Sequence, residues 1–126
     1  MTRYGLVTLL LLLVGCIPTT SSTIVVSGID QPAAAISRVD EIIRSLGFHS
    51  SELPATAEQA GTIVKSYDTA PIAGVLIVVR YEQPKGSMEI YFAERAQSFS
   101  TFALQKRDAL MTQIASAFGR DKLTMK

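Results

Sequence analysis

Residues 75–92 constrain the fold of this chain most strongly, because they combine two strand patterns with a tight turn between them. Residues 75–79 read Val-Leu-Ile-Val-Val, a run of aliphatic and β-branched side chains that is typical of strands. Residues 83–86, Gln-Pro-Lys-Gly, place proline second and glycine fourth, as β-turns favour. Beyond the turn, Met88, Ile90 and Phe92 alternate with polar or aromatic residues. The segment predicts an antiparallel hairpin whose first strand is covered, at least in part, on both faces.

A first helix is predicted ahead of this hairpin, because apolar residues recur there every three or four positions. Asp30 is the expected N-cap, and Pro32 falls in the first turn, where its missing N–H costs nothing. Gly47 is the expected C-cap, with Phe48 supplying an apolar contact behind it. The buried stripe of this helix is expected at Ile36, Val39, Ile43 and Leu46.

A second helix is predicted after the hairpin. Ser98 or Ser100 can cap its start, and Gly119 is expected to end it. Lys106 lies beside the apolar stripe, where a long side chain can extend its ammonium group to water. The stripe itself is expected at Phe99, Ala103, Leu110, Ile114 and Ala117.

Three further strands complete the predicted order. They are expected at residues 23–27, 63–67 and 122–125, and the poorly patterned residues 49–60 are expected to form a loop with at most a short extended piece. Strand and helix patterns in this order indicate an α+β domain over residues 23–126, with two helices packed on a mainly antiparallel sheet. The preferred topology is a ferredoxin-like βαββαβ arrangement with one extra strand.

The N-terminal residues have a different character from the rest of the chain. Arg3 precedes an apolar run from Leu6 to Val14, and the composition becomes polar after Cys16. The run is shorter than the ~20 residues that a membrane-spanning helix needs. A basic head, an apolar core and a small residue before a break form the layout of a secretory signal peptide. A buried helix, an uncleaved anchor and a functional thiol are the competing interpretations.

The tetrapeptide Leu13-Val14-Gly15-Cys16 resembles the lipobox of bacterial lipoproteins. The resemblance covers residues 1–16 only, and it implies that residues 1–15 are a cleaved signal peptide. It also implies that Cys16 becomes the acylated first residue, followed by a short tether to residue 22, and that the membrane is a partner through this anchor. Because Ile17 rather than Asp follows the cysteine, the resemblance implies the outer membrane, facing the periplasm, in a Gram-negative cell.

The charge balance bears on the possible partners of the domain, and the cysteine content bears on what stabilises it. The chain has 12 Lys and Arg against 11 Asp and Glu, so removal of Arg3 with the signal peptide leaves 11 of each. A neutral domain argues against a nucleic-acid partner, for which a basic stripe is expected. Cys16 is the single cysteine, so the domain can form no internal disulfide and must rely on its core.

Candidate chemistry is sparse along the chain. His49 is the single histidine, and no Gly-x-Ser-x-Gly nucleophile motif or glycine-rich phosphate loop occurs. Asp40 and Glu41 are adjacent on a helix, which favours solvated surface carboxylates. We therefore expect no catalytic residue, cofactor or metal site.

One group of residues has the composition of an interaction surface, although ordinary cross-strand pairing explains it as well. It consists of Arg80, Tyr81, Glu89 and Tyr91 on the two strands of the hairpin.

The sequence thus favours a non-enzymatic, lipid-anchored envelope domain that binds another envelope component. An immunity-type lipoprotein that inhibits a periplasmic toxin is the first alternative, and a small cell-wall hydrolase is the second. Neutral charge argues against the immunity-type inhibitor, for which a strongly charged patch is expected. The sequence spacing offers no pair of titratable residues for catalysis, which argues against the hydrolase.

Overall fold

A computed structural model of the chain describes residues 18–51, 62–69 and 74–126. The predicted signal peptide, Cys16, Ile17 and most of the predicted loop before residue 62 lie outside these ranges. The described elements, in chain order, are β1 (Thr20–Val26), α1 (Pro32–Ser45), β2 (His49–Ser51), β3 (Thr62–Asp68), β4 (Val75–Glu82), β5 (Ser87–Glu94), α2 (Thr101–Phe118) and β6 (Leu123–Met125).

The six described strands form one antiparallel sheet in the order β2-β3-β4-β5-β1-β6. The predicted α+β class, with two helices on an antiparallel sheet, is confirmed. The order β6-β1-β5-β4 is compatible with a ferredoxin-like arrangement, and β3 and β2 extend it at one edge. Two strands are added rather than the predicted one, because residues 49–51 pair with β3.

The core lies between the helices and one face of the sheet. Alternation along β4 and β5 points every second side chain into it, as the sequence predicted for Met88, Ile90 and Phe92. The sequence predicted that β4 is covered, at least in part, on both faces. On the second face Val78 is half-buried and Leu76 is 39% exposed, so the described residues cover that face only in part. The buried helix residues are Ala35, Ile36, Val39, Ile42 and Ile43 from α1, and Ala103, Leu110 and Ile114 from α2.

The predicted N-cap of α1 is wrong by one residue. Gln31 occupies the cap position and makes no side-chain capping bond, because Pro32 already opens the helix. The other end follows the prediction closely. Gly47 has a φ of 93° and its N–H donates to the Arg44 carbonyl, while the Phe48 N–H donates to the Ile43 carbonyl. This is the Schellman pattern, with Phe48 buried behind it.

Helix α2 begins and ends where the sequence predicted. The Ser100 hydroxyl accepts a hydrogen bond from the Ala103 N–H at 3.1 Å, and Gly119 is the C-cap. Lys106 does not extend into water as expected. Its Nζ donates to the Leu46 carbonyl at 2.6 Å, so the ammonium group satisfies an acceptor at the end of α1.

Strand β1 starts at Thr20, three residues earlier than predicted. Residues 20–22, assigned from the sequence to a tether, pair with residues 92–94 of β5. Residues 20–22 are polar, so the run of β-branched and apolar residues that predicted the strand begins only at Thr23. Antiparallel pairing with β5 makes residues 20–22 part of the strand, although their composition does not favour one.

Candidate functional site

The face of the sheet opposite the helices carries the strongest candidate site, and we call it the open face. Strand register brings four cross-strand rows together on it, because directly paired residues share a face. The rows on β3, β4, β5 and β1 are Asp68-Leu76-Ala93-Ser21, Ser66-Val78-Tyr91-Thr23, Val64-Arg80-Glu89-Val25 and, without a β1 member, Thr62-Glu82-Ser87.

The centre of the open face is apolar and accessible. Leu76 is 39% exposed, and Val78 and Tyr91, which form a direct cross-strand pair, are each half-buried. Val64 and Val25 are half-buried at the flanks of the next row. Aliphatic side chains beside a tyrosine give a surface that loses water readily when another apolar surface is placed on it.

Ion pairs frame this apolar centre. Arg80 Nη2 lies 2.8 Å from Glu82 Oε1, and Lys85 Nζ lies 3.1 Å from the other oxygen of the same carboxylate. The hydrogen bond from Lys85 holds the pKa of Glu82 below its ordinary value, with a smaller contribution from the Arg80 charge. Lys126 Nζ lies 3.2 Å from Glu89 Oε1. The frame therefore carries both signs of charge rather than a field of one sign.

The predicted interaction surface is only partly brought together. Arg80, Glu89 and Tyr91 lie on the open face in adjacent rows. Tyr81 lies on the opposite face and is 5% exposed, so it belongs to the core and must be removed from the predicted set. The reason is the two-residue period of a strand, which points the neighbours Arg80 and Tyr81 to opposite sides of β4.

A cleft of about 360 Å³ opens where the open face meets the start of β1. Leu76, Tyr91 and Ala93 line its apolar part, and the carboxylates of Asp68 and Glu94 contribute to the rest. Both Glu94 oxygens already accept hydrogen bonds from Ser100, one from its N–H and one from its hydroxyl, each at 2.7 Å. Glu94 thus acts as a structural support for the start of α2.

Asp40 is a residue whose role the sequence missed. Its carboxylate was expected to be a solvated surface group, but Oδ1 accepts a hydrogen bond from the Tyr67 hydroxyl at 2.6 Å. Oδ2 accepts one from Arg44 Nε at 2.9 Å. The Arg44 partner was visible in the sequence as an i,i+4 pair, whereas Tyr67 is 27 residues away.

Burial and hydrogen bonding shift both partners of this pair. Desolvation raises the pKa of Asp40, but the hydrogen bonds from Tyr67 and Arg44 outweigh it, so the pKa lies below its ordinary value. Desolvation is also the main reason that the pKa of Tyr67 is raised well above its ordinary value, and the neighbouring Asp40 carboxylate raises it further. The pair is a structural link between α1 and β3 in which the proton stays on tyrosine.

His49 lies exposed at the start of β2, directly opposite Asp68 of β3. Within residues 18–51, 62–69 and 74–126 there is no group of three or more His, Cys, Asp or Glu residues placed to hold a metal ion. In the same part of the chain, neither helix is both long enough and apolar enough to cross a bilayer.

Comparison with known proteins adds no assignment. The chain matches no protein-family model, and no curated protein matches it.

Proposed function

We propose that this chain is a lipid-anchored cell-envelope domain that binds another envelope protein through its open face and performs no catalysis. The lipobox-like residues 13–16 support the anchor, and the open face supports the binding role. The anchor keeps the domain beside a membrane, and the open face presents a fixed surface to a protein held at the same membrane.

The observation that carries the binding role is the accessible apolar centre formed by Leu76, Val78 and Tyr91. Two-layer α+β domains bury one face of the sheet under helices. Here both described helices pack on the face that carries the core, so neither covers the open face. A contiguous apolar surface with a polar rim is typical of a protein contact site. Tyr91 and Arg80 also belong to the residue types that interfaces prefer.

The charges around this centre favour a folded protein as the occupant. The Arg80–Glu82 and Glu89–Lys126 pairs carry opposite signs on neighbouring strands, so they match a partner with both signs at its rim. A polyanion such as nucleic acid would meet Glu82 and Glu89 as well as the two cations. The cleft beside Tyr91 gives a partner side chain a place to enter the interface.

Site-specific photocrosslinking in the living cell tests the binding role. A photoreactive phenylalanine analogue is placed at Leu76 in the full chain, and the matched control places it at Ile63. Both positions are 39% exposed, but Ile63 follows the alternation that faces the helices. We expect one abundant envelope protein to crosslink at Leu76 and not at Ile63.

Substitutions then separate a true interface from chance capture. Leu76→Asp should abolish recovery of the crosslinked partner, whereas Ile63→Asp should leave it, with unchanged circular dichroism in both variants. Equal recovery with the two variants, or equal crosslinking at both positions, would rule out the open face as the binding site. If the recovered partner were a toxin, the immunity-type alternative would replace the accessory role.

The anchor is tested separately at Cys16. Replacement of Cys16 by Ser should leave the precursor uncut and abolish labelling by a palmitate analogue, because the acylated sulfur is gone. Intact-mass measurement of the membrane fraction reads both effects. A Cys16→Ser protein that still carries the mass of a lipid would refute the lipobox interpretation.

A further inference from the structure

The position at which β1 begins determines which end of the domain an N-terminal anchor reaches. Thr20 pairs with Glu94 at the end of β5, and the Thr20 hydroxyl donates a 2.7 Å hydrogen bond to the Ala96 carbonyl. The first residue of β1 is therefore fixed to the segment that leads from β5 into α2. We call this the β1-start end of the domain.

Four residues lead from Cys16 to Thr20 along the sequence. A fully extended chain covers at most ~3.5 Å per residue, so an acylated Cys16 lies within about 14 Å of Thr20. The predicted tether ran from Cys16 to residue 22. Since residues 20–22 belong to β1, the segment between the acylated cysteine and the folded domain is shorter than predicted. An anchor this short holds the β1-start end close to the lipid headgroups.

The β1-start end carries an accessible aromatic ring. Phe102 lies in the first turn of α2 and is 48% exposed, more than any other large apolar side chain among the described residues. Lys106 Nζ lies 5.5 Å from the centre of the Phe102 ring and is bonded to the Leu46 carbonyl. Phe102 is thus presented at the surface beside a positioned cation.

Arg95 adds a second cation at the same end. Its side chain is exposed, and its backbone N–H donates to the Gly74 carbonyl at 3.1 Å, which fixes the backbone at the end of β5. The neighbouring carboxylate of Glu94 is engaged by Ser100. An exposed aromatic ring and an exposed cation at one end of a domain suit the interface between lipid headgroups and acyl chains.

We propose that the β1-start end lies against the phospholipid surface, with the Phe102 ring inserted at the headgroup level and Arg95 facing lipid phosphates. This inference rests on the proposed acylation of Cys16. It goes further by fixing the orientation of the domain. The sheet then stands with its strands directed away from the membrane, and the open face is presented sideways to a partner in the same membrane.

The absence of tryptophan from the sequence makes the contact directly measurable. Phe102→Trp introduces a single fluorophore at the β1-start end, and Ile63→Trp introduces one at an exposed position near the opposite end of the sheet. Gln97→Trp, in the exposed turn before α2, is a second reporter for the first end. Each full chain is expressed with its signal, purified from membranes and reconstituted into phosphatidylethanolamine–phosphatidylglycerol vesicles with brominated acyl chains.

We expect the Phe102→Trp emission to move to shorter wavelength and to lose most of its intensity in brominated vesicles, while the Ile63→Trp emission changes little. The Gln97→Trp emission should be quenched to a lesser extent, because the native residue at this position is a polar, exposed glutamine. Intact mass reports acylation of each sample independently. Circular dichroism confirms that each variant is folded.

The outcomes separate the two proposals. Acylated protein whose tryptophans at 102 and 97 are no more quenched than the one at 63 would overturn the orientation while leaving the anchor intact. Protein without acyl mass would overturn the anchor and, with it, the orientation. Quenching that is absent in pure lipid vesicles, together with a blue shift only in native membranes, would assign Phe102 to a protein partner and refute the lipid contact.

Discussion

The Tyr67 hydroxyl donates a 2.6 Å hydrogen bond to Asp40 Oδ1 and so joins the third strand of the sheet to the first helix. Tyr67 is buried, while Asp40 is partly exposed and also accepts a hydrogen bond from Arg44. A charged acceptor strengthens such a bond beyond that of a neutral pair. The link fixes α1 over the β3 side of the sheet, on the face that carries the core.

Loss of this hydrogen bond should weaken the fold measurably. Tyr67→Phe keeps the ring and removes the donor, so the free energy of unfolding should fall by about 1–2 kcal/mol. Urea denaturation followed by circular dichroism measures the change. Tyr91→Phe, on the open face, is the matched control and should change stability much less, because Tyr91 is only half-buried. An equal loss in both variants would show that the Asp40 bond contributes nothing special.

Alkaline pH should remove the contribution of Tyr67. Its pKa is raised in the folded state, so above about pH 10 the unfolded chain releases this proton while the folded chain retains it. The folded state then binds more protons than the unfolded state, and stability falls as pH rises. The stability advantage of the parent chain over Tyr67→Phe should be constant between about pH 5 and about pH 10, where Asp40 is charged, and should shrink above about pH 10. Parallel stability profiles of the two proteins across that range would contradict the shift.

Acidic pH should act on Asp40 in the opposite direction. Its pKa is lowered in the folded state, so its contribution is complete above the ordinary aspartate pKa of about 4 and is lost as the pH falls through the lowered value. Asp40→Asn removes the charge and keeps an acceptor oxygen. The stability difference between the parent and Asp40→Asn should therefore decrease below about pH 4 in equilibrium urea titrations. A difference that grows on acidification would refute this assignment.

Neighbouring residues of β4 should respond very differently to truncation. Ile77→Ala opens a cavity in the core and should cost about 2–5 kcal/mol. Leu76→Ala, one residue earlier, removes a side chain from the open face and should cost about 1 kcal/mol or less. Thermal and urea denaturation of the two variants measure this contrast. Similar costs at both positions would mean that the open face is covered in the isolated protein.

Gly86 should resist substitution because of its backbone conformation. Its φ of 60° closes the turn between β4 and β5, where an alanine costs about 1–2 kcal/mol. Space is not the cause, since no atom lies within 4 Å of a Cβ built there. Gly74→Ala is the control, because Gly74 is equally unobstructed and does not have a positive φ. Equal stabilities of the two variants would contradict the conformational explanation.

Sequence patterns predicted the orientation of some residues of the candidate site and missed that of others. Alternation after the turn predicted correctly that Met88, Ile90 and Phe92 face the core, and therefore that Glu89 and Tyr91 face away from it. The same rule applied across the turn would have separated Arg80 from Tyr81, yet composition grouped them together. The sequence did not show that Leu76 is exposed. Residues 75–79 are all aliphatic, so their pattern does not reveal which face of the strand is left uncovered by helices.

The sequence by itself determined the α+β class, the hairpin at residues 83–86, the glycine that ends each helix and the alternation that builds the core. These features depend on residues close together in the chain, whose preferences act locally. Tertiary structure decided the pairing of residues 20–22 with β5, the bond between Tyr67 and Asp40, and the face of β4 that is left open. These features depend on partners tens of residues apart, and the strand register that brings them together is set by the packing of the whole sheet.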